Sequence, residues 1–153
     1  MLPLTACWLW DNSAADYVNN TVAAEYGTNW NFLEQTTDYC YFGYSGRFYG
    51  LLIDISTVGS YGTLVWQYAT AAGTWVAFNP IVSYQFTESK YLRIPVPDEW
   101  IPVAFTALAP HAKAPPDTTS RYCLRVSAPS VTTMAVPKLV KCFTYARYTT
   151  PSK

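Results

Sequence analysis

The chain has 153 residues, 10 basic and 10 acidic side chains, and only 13% charged residues, against about 25% in an average protein. That length suits one domain with a real core. The six bases after Asp117 are too thinly spread for a nucleic-acid footprint, and no apolar run reaches the length of a membrane span.

In chain order, residues 1–11 read as an extended arm: Pro3 opposes helix, and Leu2, Leu4, Trp8, Leu9 and Trp10 are apolar. Residues 12–25 are Ala-rich and compatible with helix, but Val18-Asn19-Asn20-Thr21-Val22 weakens that reading, leaving strand or loop with one short helical turn. A short strand is expected at residues 30–33. Another is expected at 38–44, with Tyr39, Tyr41 and Gly43 on one face and Cys40 and Phe42 on the other, before a Ser45-Gly46 turn. Residues 48–55, 63–68 and 74–78 are three further strand-like runs. In the second of these, Leu64, Trp66 and Tyr68 alternate with Thr63, Val65 and Gln67, the period of a strand with one buried face. The turn at 69–73 makes an antiparallel hairpin with the run carrying Trp75 and Phe78.

Asn79-Pro80 breaks the chain, and strands follow at 84–86 and 91–96, the latter near an edge because Pro95 and Pro97 cannot donate to a ladder. A turn ends on Trp100, residues 101–105 read as one more strand, and 107–120 is the longest loop. Residues 121–126 alternate most cleanly, with Tyr122, Leu124 and Val126 on one face and Arg121, Cys123 and Arg125 on the other. After a linker at 128–133, a last run spans 137–148. Many short strands, turns about every ten residues and almost no helix predict an all-β fold, an antiparallel β-sandwich of jelly-roll-like type with extended N- and C-terminal segments. The expected division of this single domain (1–153) is arm 1–11, sandwich core 12–127, and a C-terminal extension or last strand at 128–153.

Several readings concern chemistry. Charge is uneven: Arg47 is the only base among residues 1–89, and no acid follows Asp117. The two ends could therefore attract each other, within one subunit or between neighbours; the simpler reading is that strands from both ends share a sheet. The opening MLPLTACWLWDNSAAD lacks the basic and apolar regions of a secretory signal. Cys7, Cys40, Cys123 and Cys142 are far apart without C-x-x-C spacing, so the expectation is buried free thiols and no zinc, with late disulfides still open. The single histidine, His111, lies in a Pro/Ala loop and reads as an exposed or interface residue. Asp98 and Glu99 are adjacent in a turn and point apart, unlike a glycosidase pair. No phosphate loop or calcium loop is present. The reading is non-enzymatic, with no cofactor and no metal. Exposed Trp30, Trp75 or Trp100 could form a platform for sugar rings, whereas at hairpin and corner positions Trp66, Trp75 and Trp100 suit a core.

Five segments in order carry a resemblance: YFGYSGRFYGLLIDI at 41–55, LVWQY at 64–68, GTW at 73–75, RIPVPDEW at 93–100 and RYCLRV at 121–126. Together they resemble a β-sandwich module of tailed-bacteriophage virion proteins, over about residues 38–126. In that module an aromatic-Gly opening leads to a W-x-Y strand, a turn to Trp, a P-x-x-W corner and a Y-W-x-R-x-R-V strand. Here Cys123 stands where the family has an aromatic, and the 107–120 loop is Pro-rich. The resemblance implies a virion structural protein, made in the host cytoplasm and placed on the capsid surface as a cement (decoration) protein. Its implied partners are the major capsid protein and further copies of itself, as in a trimer, with no nucleic acid and no membrane. The alternatives are a tail or baseplate component, or a carbohydrate-binding adhesion module that takes a glycan. Because a sandwich already covers its faces, the chain ends are expected to reach the partner. Leu4, Trp8 and Trp10 are the expected anchors of the arm, and Lys138, Lys141 and Arg147 the contacts of the tail.

Overall fold

The computed structural model describes residues 1–71, 73–82, 84–108, 111 and 117–144. In chain order its elements are β1 (Leu2–Pro3), β2 (Ala6–Asp11), β3 (Asp16–Asn19), helix α1 (Thr21–Tyr26), β4 (Tyr39–Tyr44), β5 (Gly50–Thr57), β6 (Val65–Ala71) and β7 (Thr74–Phe78). They continue with β8 (Lys90–Arg93), β9 (Val103–Ala104), a 3-10 turn (Phe105–Leu108), β10 (Ser120–Ser127) and β11 (Val136–Phe143). The strands form two antiparallel sheets. The four-stranded sheet runs β1-β11-β5-β8, and the seven-stranded sheet runs β3-β2-β4-β10-β6-β7 with β9 pairing to β10. The fold is all-β, an antiparallel sandwich.

Alternation decides which side chains meet between the sheets. From the larger sheet come Cys7 and Leu9 of β2, Cys40 and Phe42 of β4, Trp66 and Tyr68 of β6, and Leu124 and Val126 of β10. From the smaller come Leu51, Ile53, Leu92, Val140 and Cys142. The faces read for residues 38–44, 63–68 and 121–126 are therefore the faces observed.

The first residues are not a free arm. β2 lies inside the larger sheet, pairing with β4 on one side and β3 on the other, and all of its residues except Asp11 are buried. β1 pairs with β11, which lies beside β5. Strands from both chain ends thus share a sheet, and Lys138 stands 3.8 Å from Asp54 across the β11–β5 pair. Of the two alternatives for the C-terminal segment, residues 136–143 take the strand.

Four expected strands differ; of the run expected at 101–105, only Val103–Ala104 form a strand, and Phe105 opens the 3-10 turn. Residues 30–33 are extended, with Trp30 N–H and Phe32 N–H donating to Pro137 and Ala135 carbonyls, yet the contact is too short to form a ladder. Residues 84–86 form no strand: Phe86 has a positive φ of 60°, which turns the chain so that the rings of Phe86 and Phe32 stack 3.9 Å apart. The run at 91–96 stops at Arg93, two residues before Pro95. The helical turn expected in 12–25 is α1, closed by Gly27 in the left-handed region at φ 78°, which favours glycine.

Trp100 closes the corner after β8. It is fully buried, its indole N–H donates to the Cys123 carbonyl at 3.1 Å, and it packs edge-on to Phe48. Arg47 secures the same turn by donating to the Asp98 and Trp100 carbonyls.

Two outcomes are expected from this packing. Deleting residues 1–10 removes a strand from inside the sheet, so the remainder should lose its cooperative thermal transition; a truncated chain that still melts cooperatively would contradict the placement of β2. Gly50→Ala would set a Cβ 2.1 Å from the Leu92 carbonyl oxygen and 2.2 Å from the Phe143 ring. It should destabilise the protein by about 3 kcal/mol or more in denaturant titration.

Candidate functional site

The expected partner anchors are placed within the chain itself. Leu4 is buried in the inter-sheet core, while Trp8 and Trp10 are buried on the opposite face of the larger sheet. A side chain already covered by its own subunit cannot also anchor that subunit to a neighbour. This corrects the expectation of an arm reaching out. Lys138 and Lys141 lie on β11, partly exposed, and Lys138 faces Asp54. Arg147 lies outside the described residues.

The outer face of the larger sheet carries an aromatic layer. Trp8, Trp10, Tyr39, Tyr41 and Trp75 alternate out of β2, β4 and β7, and Tyr17 and Phe105 lean in from β3 and the 3-10 turn. Arg125, on the outward face of β10, lies between two of these rings, with Cζ 4.6 Å from the Tyr39 centroid and 4.5 Å from Trp75. Its Nε donates to Gln67 at 2.7 Å. Arg125 Nη1 and Trp75 Nε1 are buried without a hydrogen-bond partner among the described residues.

His111 is not an exposed loop residue. Its ring stacks on Trp10 at 4.5 Å with 5° between planes, and Nε2 lies 2.7 Å from the Tyr41 hydroxyl. Burial first, and the Arg125 charge second, push its pKa down from 6.5 to about 4. Burial likewise raises the Tyr17 phenol to about 12.

The thiols are buried and free. Burial pushes Cys123 and Cys142 up to about 12 and raises Cys40, which also lies beside Cys7. Thiols held so far from the thiolate form are poor nucleophiles. The Glu99 carboxylate accepts the Tyr68 hydroxyl, and that hydrogen bond holds its pKa below the usual range.

Clefts open on the surface formed by the described residues. One, of about 430 Å³, is lined by Leu64, Trp66, Phe78, Pro80 and Gln85 at the end of β7. Another, of about 310 Å³, lies where β2 and β3 meet the segment 29–38, and its wall includes Asp11, Asn20, Trp30, Asn31, Glu34 and Asp38. Asp38 organises this second region. It is buried, and its carboxylate accepts the backbone N–H groups of Asn12, Glu34 and Gln35 at 2.9 to 3.0 Å.

The sheet edges differ in how they are protected. β1 carries Pro3, β3 carries Asp16, and β8 carries Lys90 and Arg93 and has its end covered by Ile81, whose N–H donates to the Arg93 carbonyl. Charge, proline and a covering segment are the usual means of blocking an open edge. Among the described residues, β7, Thr-Trp-Val-Ala-Phe, has none of them, and its Val76 is 39% exposed.

Comparison with known proteins returns no matching family model, no matching curated protein and no matching solved structure. The layer around Arg125 was not singled out as a site from the sequence. Its signal was present in the outward positions of alternating strands, where Tyr39, Tyr41, Trp75 and Arg125 stand in place of the usual small polar residues.

His111 makes stability depend on pH. Its folded pKa of about 4 lies below the ordinary 6.5, so its contribution is complete above the higher value and is lost as pH falls through the lower one. Among the described residues, the groups facing its ring are Trp10, Tyr17, Tyr39 and Tyr41, with the Arg125 charge nearby, and none of them is an anion that would welcome a second charge. Thermal melts between about pH 7 and about pH 4 should show wild type losing more stability than His111→Phe. Parallel curves for the two proteins would remove His111 as the cause.

Proposed function

We propose that this chain is a non-enzymatic structural protein of a tailed-phage virion, a cement protein that binds the major capsid protein at the capsid surface and reinforces the shell. The observation that carries the reading is the ordered set of five segments resembling a virion β-sandwich module, together with where those segments lie. They fall on β4, β5, β6, the turn into β7, the Trp100 corner and β10. Three of these strands, β4, β10 and β6, are consecutive neighbours in the larger sheet. Self-association, as in a trimer, belongs to the same reading and follows from the charge-poor composition. A tail or baseplate position is the neighbouring reading within the same class.

With Leu4, Trp8 and Trp10 committed to the chain's own core, the contact surface is assigned instead to the edge of β7 and the apolar cleft beside it. An extended segment of the capsid protein that adds a strand to β7 would pair the open backbone groups. It would also set a side chain against Phe78 and Pro80. A flat sugar platform of Trp30, Trp75 and Trp100 has less support: Trp100 and Trp30 are buried, and Arg125 lies over the Trp75 ring.

Fractionated virions decide the first part: the protein should co-purify with the capsid shell. Its absence from virions would end the reading, and its presence on tails alone would move it to the tail. The surface has its own test. Val76→Lys places a charge at an exposed position on the open edge. It should leave the melting temperature nearly unchanged while weakening attachment to capsids lacking the protein by roughly tenfold or more. Unchanged attachment would exclude β7 as the contact.

A further inference from the structure

Asn20 occupies the position that would normally cap helix α1, yet its side chain caps nothing. An asparagine there usually accepts a hydrogen bond from the first helical turn. Here Asn19 takes that work: its Oδ1 accepts both the N–H and the hydroxyl of Thr21, at 3.0 and 2.7 Å. The backbone of Asn20 is engaged, with its N–H on the Cys7 carbonyl and its carbonyl on the Ala24 N–H. Its side-chain amide is left over. Asn20 is 7% exposed, its Nδ2 is buried with no hydrogen-bond partner among the described residues, and it lines the 310 Å³ cleft. A buried amide donor without an acceptor costs about 1–3 kcal/mol, so a group that supplies the acceptor gains affinity.

The other polar groups of the cleft narrow the ligand chemistry. Asp11 Oδ1 is used by Ser13 and Ala14, leaving Oδ2 without a partner among the described residues. Glu34 is exposed, and its carboxylate likewise has none. Asp38 accepts three backbone N–H groups at the floor. Asn31 adds an exposed amide, and Trp30 an aromatic wall whose own N–H is spent on the Lys138 carbonyl at 3.0 Å. An anion such as phosphate would be repelled by three carboxylates. A bare cation or an ammonium would satisfy the carboxylates but leave the Asn20 donor unmet. A neutral molecule with adjacent hydroxyls meets both needs, since each hydroxyl accepts from an amide and donates to a carboxylate.

We propose that the cleft between the β2–β3 hairpin and residues 29–38 binds a saccharide, with Asn20 Nδ2 donating to a ring hydroxyl that in turn donates to Asp11 or Glu34. The site is independent of the capsid role and of the β7 edge. A cleft of this volume accepts one sugar unit, and its open mouth leaves room for the unit to belong to a longer chain.

The full chain is tested by saturation-transfer NMR and calorimetric titration against glucose, galactose, mannose and N-acetylglucosamine and their short oligomers, with sodium phosphate and calcium chloride as competing chemistries. At least one sugar should bind with Kd about 1 mM or tighter. Asn20→Ala should weaken that binding about tenfold. Because the side chain makes no cap and its donor is unpaired, the same change should not lower the melting temperature. If Asn20→Ala does fail to fold, Glu34→Gln and Asn31→Ala, both on exposed positions, should each weaken binding in a folded protein. No sugar binding in this panel overturns the proposal. So does binding that survives these substitutions in folded protein, or occupation of the cleft by phosphate or calcium instead.

Discussion

Among the described residues, the larger sheet has one neighbouring sheet: one face packs on β1, β11, β5 and β8, and no layer of regular structure lies behind the other. A sheet left in that condition would expose a broad apolar surface, or would carry small polar residues outward. This chain covers the face with its own side chains. Aromatic rings from β2, β3, β4 and β7, the 3-10 turn and the ring of His111 lie edge to face or stacked across it, and Arg125 fills the space between two of them. Tyrosine and tryptophan suit that task because each buries a large area while keeping a polar edge.

This solution explains why β2 is so completely buried. Its inward residues, Cys7 and Leu9, belong to the inter-sheet core, and its outward residues, Ala6, Trp8 and Trp10, belong to the aromatic layer. Asp38 then fixes the neighbouring turns, because one carboxylate accepts from Asn12 after β2 and from Glu34 and Gln35 before β4. Charge-assisted hydrogen bonds to backbone N–H groups are among the stronger ones available. The cleft beside Asn20 is a by-product of this arrangement: the segment 29–38 is held against β11 through Trp30 and Phe32, while the hairpin β2–β3 leans over it.

The same packing separates what the surface can do. The aromatic layer is spent on covering a sheet, so its number of rings says little about ligand binding. Among the described residues, the β7 edge and the clefts beside it and beside Asn20 are places where such protection is lacking. Among the described residues, the guarded edges β1, β3 and β8 contrast with β7, and the contrast arises from sequence choices of proline and charge.

Much of the fold was legible in the sequence because a strand with one buried face writes its orientation into every second residue. Residues 38–44, 63–68 and 121–126 showed their inner and outer faces by alternation alone, and the Trp100 corner by the prolines before it. The ends were not legible for the same physical reason. Apolar residues on both faces of residues 6–10 read equally well as a loose arm or as a strand between two layers, and only the presence of β3 and β4 on either side decides between them. Residues 84–86 looked like a strand until a positive φ at Phe86 turned them, a tertiary choice made by the stacking partner Phe32, more than 50 residues away in the chain. His111 was the least readable. Its Pro/Ala surroundings describe a loop, and nothing in them shows the Trp10 ring and Tyr41 hydroxyl that receive it. Alternation is local and is written in the sequence, whereas which distant surface a loop or a terminus meets depends on the whole sheet order, and that is decided only when the sheets assemble.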